Sequence, residues 1–150
     1  SEDAIRNAIN ILNPPTISNI IAMESPPPKI GSYTKNQIEF ILRAAFTGFR
    51  AAVQKSQTIN PNAKVSIHTG YWGCGAYGGN RELMPLLQLI AANLSGVDLL
   101  HFHTGFDDEG YLSALKTFDK FFSQDTSIST NEFISYILES NYQWGVSDGN

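Results

Sequence analysis

Cysteine occurs once in this sequence, at position 74. A single thiol makes no internal disulfide and no cysteine-based zinc site. That fits a reducing compartment such as the cytoplasm. Bases are also scarce: ten Lys and Arg against fourteen Asp and Glu leave a net charge of −4. Direct nucleic-acid binding by charge is therefore not expected. The apolar runs are only a few residues long, too short to cross a bilayer, so no membrane partner is expected. No basic-then-apolar leader opens the sequence, so no secretory signal is expected. It starts at Ser1 rather than Met, as a processed product or an excised piece would. No internal repeat is apparent, and low complexity is confined to Pro26-Pro27-Pro28.

What is present describes a globular chain. Of its 150 residues, 42% are hydrophobic and 11% aromatic. That is room for one domain with a sizeable core. The charge is uneven. Residues 101–150 hold eight acids and two bases, whereas residues 1–100 hold eight bases and six acids. An anion site should lie in the first two thirds, or be made by backbone rather than by Lys and Arg.

The apolar pattern changes period several times. Residues 1–12 read as a short helix with Ile5, Ile9 and Leu12 on one face, stopped by Pro14-Pro15. Residues 17–23 read as a strand. Thr34 and Gln37 form a capping box for a helix with Ile38, Ile41, Leu42, Ala45, Phe46, Phe49 and Val53 in one stripe. Asn60-Pro61-Asn62 makes a turn, and Val65 to His68 a second strand. Leu83 to Leu94 is a helix that keeps Pro85 in its first turn. Val97 to His103 is a third strand. Asp107 or Asp108 caps a helix carrying Tyr111, Leu115, Phe118 and Phe122. Ser129 and Glu132 box the start of a last helix that runs through Ser140. Strands alternating with helices predict an α/β fold with parallel strands.

Between the second strand and the next helix runs Thr69-Gly70-Tyr71-Trp72-Gly73-Cys74-Gly75-Ala76-Tyr77-Gly78-Gly79-Asn80. Five of the ten residues from Gly70 to Gly79 are glycine. Such a backbone can approach a ligand closely and turn its amides inward. Together with a helix N-terminus, those amides suit phosphate oxygens and need no lysine. A mobile turn is the plain alternative, but Trp72 and Tyr77 are unusual in a linker. The loop lacks the nucleotide-triphosphatase pattern G-x-x-x-x-G-K-[ST]. Gly73-x-Gly75-x-x-Gly78 matches the dinucleotide fingerprint, but it starts well past the strand end. The acid that fingerprint needs about 20 positions on would be Asp98, at the wrong end of its strand. Asp107 is nearer the right end, but late.

The same run closely resembles the T-G-N-W-G-C-G-A-F-G-G loop of poly(ADP-ribose) glycohydrolases. The likeness extends outward. Ala44-Ala45-Phe46-Thr47-Gly48-Phe49 is similar to A-Y-x-G-F. Residues 83–92 are similar to L-x-x-L-I-Q-x-x-A-A, and Ile20-Ile21-Ala22-Met23-Glu24 to I-V-A-I-D. The resemblance covers roughly residues 17–140. It implies a macrodomain-like three-layer α/β/α fold, with this chain supplying the C-terminal part of the sheet and its helices. Residues 1–150 would then be a single macrodomain-like domain or the C-terminal half of one. It also implies an ADP-ribose site lined by Thr69, Gly70, Trp72, Gly73, Cys74, Gly75, Ala76, Tyr77, Gly78 and Gly79. The glycine loop would embrace the diphosphate, and the aromatic at Tyr77 would pack on a ribose. No metal or redox cofactor is implied. The expected partners are ADP-ribose or an ADP-ribosylated protein, and the N-terminal half of the domain.

The departures from the family are specific. Its catalytic signature, a triple glycine followed by Gln-Glu-Glu, is missing from residues 1–150. The implied activity, hydrolysis of ADP-ribosyl glycosidic or ester bonds, would need that signature from an N-terminal segment. The catalytic residue is therefore unknown here. Tyr71 replaces the loop asparagine. Thr104 stands where the family has an aromatic near the adenine, a place Phe106 can take. Two alternatives stay open, a non-catalytic ADP-ribose reader and a NAD-binding domain.

Other chemistry is weaker. His101 and His103 share one strand face, with His68 on the neighbouring strand. Three imidazoles can bind zinc, but no acid or cysteine has a supporting spacing. Asp107-Asp108-Glu109 offers carboxylates, which a capped helix explains equally well. Cys74 has no partner fixed by sequence and reads as packing. Tyr142 and Trp144 read as sealing the last helix against the core.

Overall fold

Two short parallel strands and the helix between them organise the fold. The computed structural model describes residues 2–10, 13–15, 19–122 and 128–146. In chain order the elements are α1 (Glu2–Ala8), α2 (Lys35–Ile59), β1 (Ser66–Gly70), α3 (Leu83–Ser95), β2 (Leu99–His103), α4 (Glu109–Phe122) and α5 (Thr130–Glu139). β1 and β2 pair in parallel, from Ser66 beside Leu99 to Gly70 beside His103. Parallel neighbours require a crossover, and α3 supplies it. The class is α/β and macrodomain-like.

The helices start where their caps place them. Thr34 and Gln37 make a full capping box for α2, as do Ser129 and Glu132 for α5. Each box satisfies amides that a helix start leaves without partners. α2 is 25 residues long and buries Ile38, Ile41, Leu42, Ala45, Phe49 and Val53. Its stripe packs on α3, which is buried almost all round. The run of residues 83–92, apolar except for Gln88, is what a helix enclosed on every side requires. α4 covers the other flank of α3. α5 closes one end through Phe133, which meets Phe121 and Phe122 edge-on.

The sheet is covered on one face. Ile67 is buried, while Ser66, His68, Leu99, His101 and His103 are exposed on the other face. Among the described residues, neither strand has a second neighbour.

Three expectations change. The strand at 17–23 does not form: residues 19–23 pair with no strand, and 17 and 18 lie outside the described residues. The β-branched pattern is present, and Ile21 and Met23 rest on α2 at Gly48. A strand also needs a neighbour to bond, and none pairs with it among the described residues. The first helix stops at Ala8, short of the expected Leu12, and Ile9 beyond it is 58% exposed. Leu12 lies outside the described residues. The third strand begins at Leu99 rather than Val97. Gly96 ends α3 in a left-handed conformation, and the Val97 amide is spent on Ala92 O.

Candidate functional site

The glycine loop leaves the carboxyl end of β1, the edge where ligands bind in open α/β sheets. Its start is fixed from beneath. Gln88, fully buried in α3, accepts a hydrogen bond from Thr69 Oγ1 and donates through Nε2 to Gly70 O at 3.1 Å. The hydroxyl of Thr69 is therefore turned inward. Its end is fixed by Asn80, whose Oδ1 accepts from Glu82 N at 3.0 Å and Leu83 N at 2.9 Å. This side chain caps α3 in place of the Glu82 side chain, which makes no cap bond.

Between these points the loop folds on itself. Gly79 N donates to Gly73 O at 2.8 Å, and Gly78 N to Gly75 O at 2.9 Å. Gly73 has φ +76°, a left-handed conformation that glycine adopts without strain. A Cβ there would overlap Ser25 Oγ, and one at Gly79 would sit 2.6 Å from Gly73 O. Among the described residues, the amides of Gly73, Gly75, Ala76 and Tyr77 donate to no protein acceptor. Successive free amides on a tight turn form a concavity suited to anionic oxygens. Ala76 and Tyr77 are exposed, whereas Cys74, Gly78 and Gly79 are buried beneath them.

The loop's side chains divide by role. Trp72 packs on the core, and its Nε1 is buried with no partner. Burial raises the Cys74 thiol to about 12, so it is not a ready nucleophile. Tyr71 reaches across to the β2–α4 connection. Its Oη donates to Asp107 O at 2.9 Å and accepts from Tyr111 N at 3.3 Å. The Arg81 guanidinium lies 4.0 Å above the Tyr71 ring, and its Nε pairs with Asp107 Oδ2 at 3.3 Å. Asp107 Oδ1 also accepts from Glu109 N at 3.2 Å. These bonds occupy Asp107 as a helix-start acid. Phe106, on the same connection, is fully exposed.

The family model for the poly(ADP-ribose) glycohydrolase macro domain fold matches residues 13–111. The chain belongs to the poly(ADP-ribose) glycohydrolase family. A stretch of 41 residues is 42% identical to the probable poly(ADP-ribose) glycohydrolase 2 of Arabidopsis thaliana. That stretch is 27% of this chain and 8% of that relative. Within this glycohydrolase frame, the loop asparagine replaced by Tyr71 becomes a bridge between two sheet-edge loops.

Other sequence candidates separate from this glycohydrolase loop. His68 stacks on His101 at 4.3 Å, and its Nδ1 lies 2.9 Å from His103 Nε2. They sit on the open sheet face, and among the described residues no group of three or more His, Cys, Asp or Glu is arranged to hold a metal ion. Stacked rings do not converge their lone pairs on one centre. Asp98 lies at the opposite end of the sheet, where it accepts from Val65 N at 2.8 Å and Lys64 Nζ at 3.1 Å. The Val65 amide, then the Lys64 contact, hold its carboxyl below the usual range. Trp144 is buried in the same core cluster as Phe133, Ile134 and Ile137 of α5. It stacks on Tyr33 at 4.3 Å, while Tyr142 Oη donates to Glu82 Oε1 at 2.8 Å. Sequence reasoning missed the roles of Gln88, Asn80, Tyr33 and Ser25. A lone amide side chain inside an apolar helix was the available signal for Gln88.

Proposed function

We propose that residues 69–79 hold the diphosphate of an ADP-ribosyl group, with Tyr77 against a ribose and Phe106 near the adenine. The observation that carries this reading is the set of unpartnered amides at Gly73, Gly75, Ala76 and Tyr77, at the carboxyl edge of a parallel sheet. Fixed backbone donors bind oxyanions without reorganising. They also supply the anion site that a chain with few bases needs.

Catalysis would be shared with an N-terminal segment carrying the family's glutamate. That carboxyl group would protonate the leaving oxygen or orient water, as in glycoside hydrolysis generally. The glycine loop would fix the scissile glycosidic or ester bond against it. Residues 1–150 then act as the C-terminal half of one macrodomain-like domain. Among the described residues one sheet face is bare and neither strand has a second neighbour, which supports a covering partner of this kind, since parallel sheets are ordinarily enclosed on both faces.

A second reading is a non-catalytic ADP-ribose reader, which an upstream segment without a triple glycine and Gln-Glu-Glu would favour. The position of Asp98 counts against a NAD-binding domain. Calorimetric titration of the folded chain with ADP-ribose, NAD and AMP tests the binding claim. Selective ADP-ribose binding supports it. Equal binding of NAD, or no binding with and without the N-terminal segment, refutes it. Release of ADP-ribose from a modified protein by the two segments together separates enzyme from reader.

A further inference from the structure

The glycine loop is braced by a segment outside the residues that the family model matches, 13–111. After α5 the chain turns back at Asn141 and runs antiparallel to residues 31–33, with Ser32 bridged to Gln143. Tyr33 N donates to Tyr142 O at 3.1 Å, and Trp144 N to Gly31 O at 2.9 Å. The paired segments then reach the loop from two sides. Gly145 N donates to Gly78 O at 2.8 Å, and Asn80 Nδ2 to Gln143 O at 2.9 Å. Tyr33 lies between them, 5% exposed and stacked on Trp144, and its Oη accepts from Asn80 N at 2.8 Å. Gly78, Gly79 and Asn80 form the part of the loop that holds the free amides in place.

We infer that residues 141–145 are a strap that sets the conformation of the glycine loop, with Tyr33 and Trp144 as positioning residues for ADP-ribose binding. The inference rests on the functional reading above and adds residues to it. Both side chains are buried, Tyr33 at 5% and Trp144 at 8% exposure. Their effect is transmitted through Asn80 and Gly78. A preformed loop binds more tightly because it loses less conformational freedom on binding.

Three variants separate the contributions. Trp144→Ala removes the stack. Trp144→Phe keeps an aromatic ring and costs no hydrogen bond, because Trp144 Nε1 has no partner. Tyr33→Phe keeps the stack and removes the acceptor for Asn80 N. Hydrogen exchange is measured on peptides from the loop and from α2 and α3, and ADP-ribose affinity by calorimetry. In Trp144→Ala and Tyr33→Phe, residues 73–80 should exchange at least tenfold faster while α2 and α3 keep their protection. ADP-ribose affinity should fall about tenfold in both, and Trp144→Phe should stay near wild type. Unchanged loop exchange, or equal loss of protection throughout the chain, overturns the strap. Wild-type protein that binds no ADP-ribose with or without the N-terminal segment, while the loop exchange responds as expected, overturns the functional reading instead.

Discussion

The contact between Gly73 and Ser25 allows a test by double mutation. Replacing Gly73 with Ala has two separable costs. Its φ of +76° places an L-residue in the left-handed region, at about 1–2 kcal/mol. The new methyl group would also overlap Ser25 Oγ, and overpacking of this kind costs about 1–3 kcal/mol. Ser25 Oγ is itself buried without a partner. Ser25→Ala therefore strands no donor or acceptor and should change stability by less than about 0.5 kcal/mol. It also clears the overlap with residue 25, whose Cβ would be 3.5 Å from the new methyl, and leaves only Met84 Cε at 3.1 Å, the end of a flexible side chain. Gly73→Ala should thus cost about 2–5 kcal/mol alone but only about 1–2 kcal/mol beside Ser25→Ala, a coupling of at least about 1 kcal/mol. Urea midpoints at unchanged slope measure all four corners of the cycle. For a chain this long, about 1 kcal/mol moves the melting temperature by about 2–4 °C. Equal cost of Gly73→Ala in both backgrounds would refute the assigned contact, and with it the placement of residue 25 against the loop.

Three further outcomes are expected. Asn80→Ala removes the acceptor for two amides at the start of α3 and the donor to Gln143 O; it should cost about 1–2 kcal/mol in urea unfolding, and a cost near zero would reassign the cap. Burial raises the Tyr33 phenol to about 12 and the Cys74 thiol to about 12. The unfolded chain releases these protons near pH 10 and about 8.5, so the stability these two groups contribute is full below those values and is lost as pH rises toward 12; Tyr142, raised by burial and by Glu82, adds to the same limb, so Tyr33→Phe should flatten it in part, and an unchanged limb would exclude Tyr33. Native Cys74 should react with iodoacetamide at least about a hundredfold more slowly than in urea, because it is buried and its thiolate is disfavoured; equal rates would place it at the surface.

The helix starts were legible because a capping box is local: Thr34 with Gln37, and Ser129 with Glu132, carry their own partners within four residues. The two strands that formed were legible for a similar reason, since short β-branched or alternating runs sit on either side of one apolar helix. Residues 19–23 have the same local signature and remain unpaired, because a strand depends on a neighbour that the run itself does not encode. The glycine loop stood out by composition. Its supports did not, because Ser25, Tyr33 and Trp144 come from segments about 50 residues before it or about 70 after it, and no short-range pattern links them. Trp144 was correctly read as buried, but burial alone did not say against what.

The bare strand edges bear on how the chain should be produced. A strand with a free side offers its amides and carbonyls to whichever extended segment arrives first. If the proposed N-terminal segment covers those edges, a second copy of the chain competes with it for them. Synthesis alone at high concentration favours self-association, whereas synthesis together with the covering segment favours the closed domain. The order in which the two pieces meet would then decide between one assembled domain and an aggregate of halves.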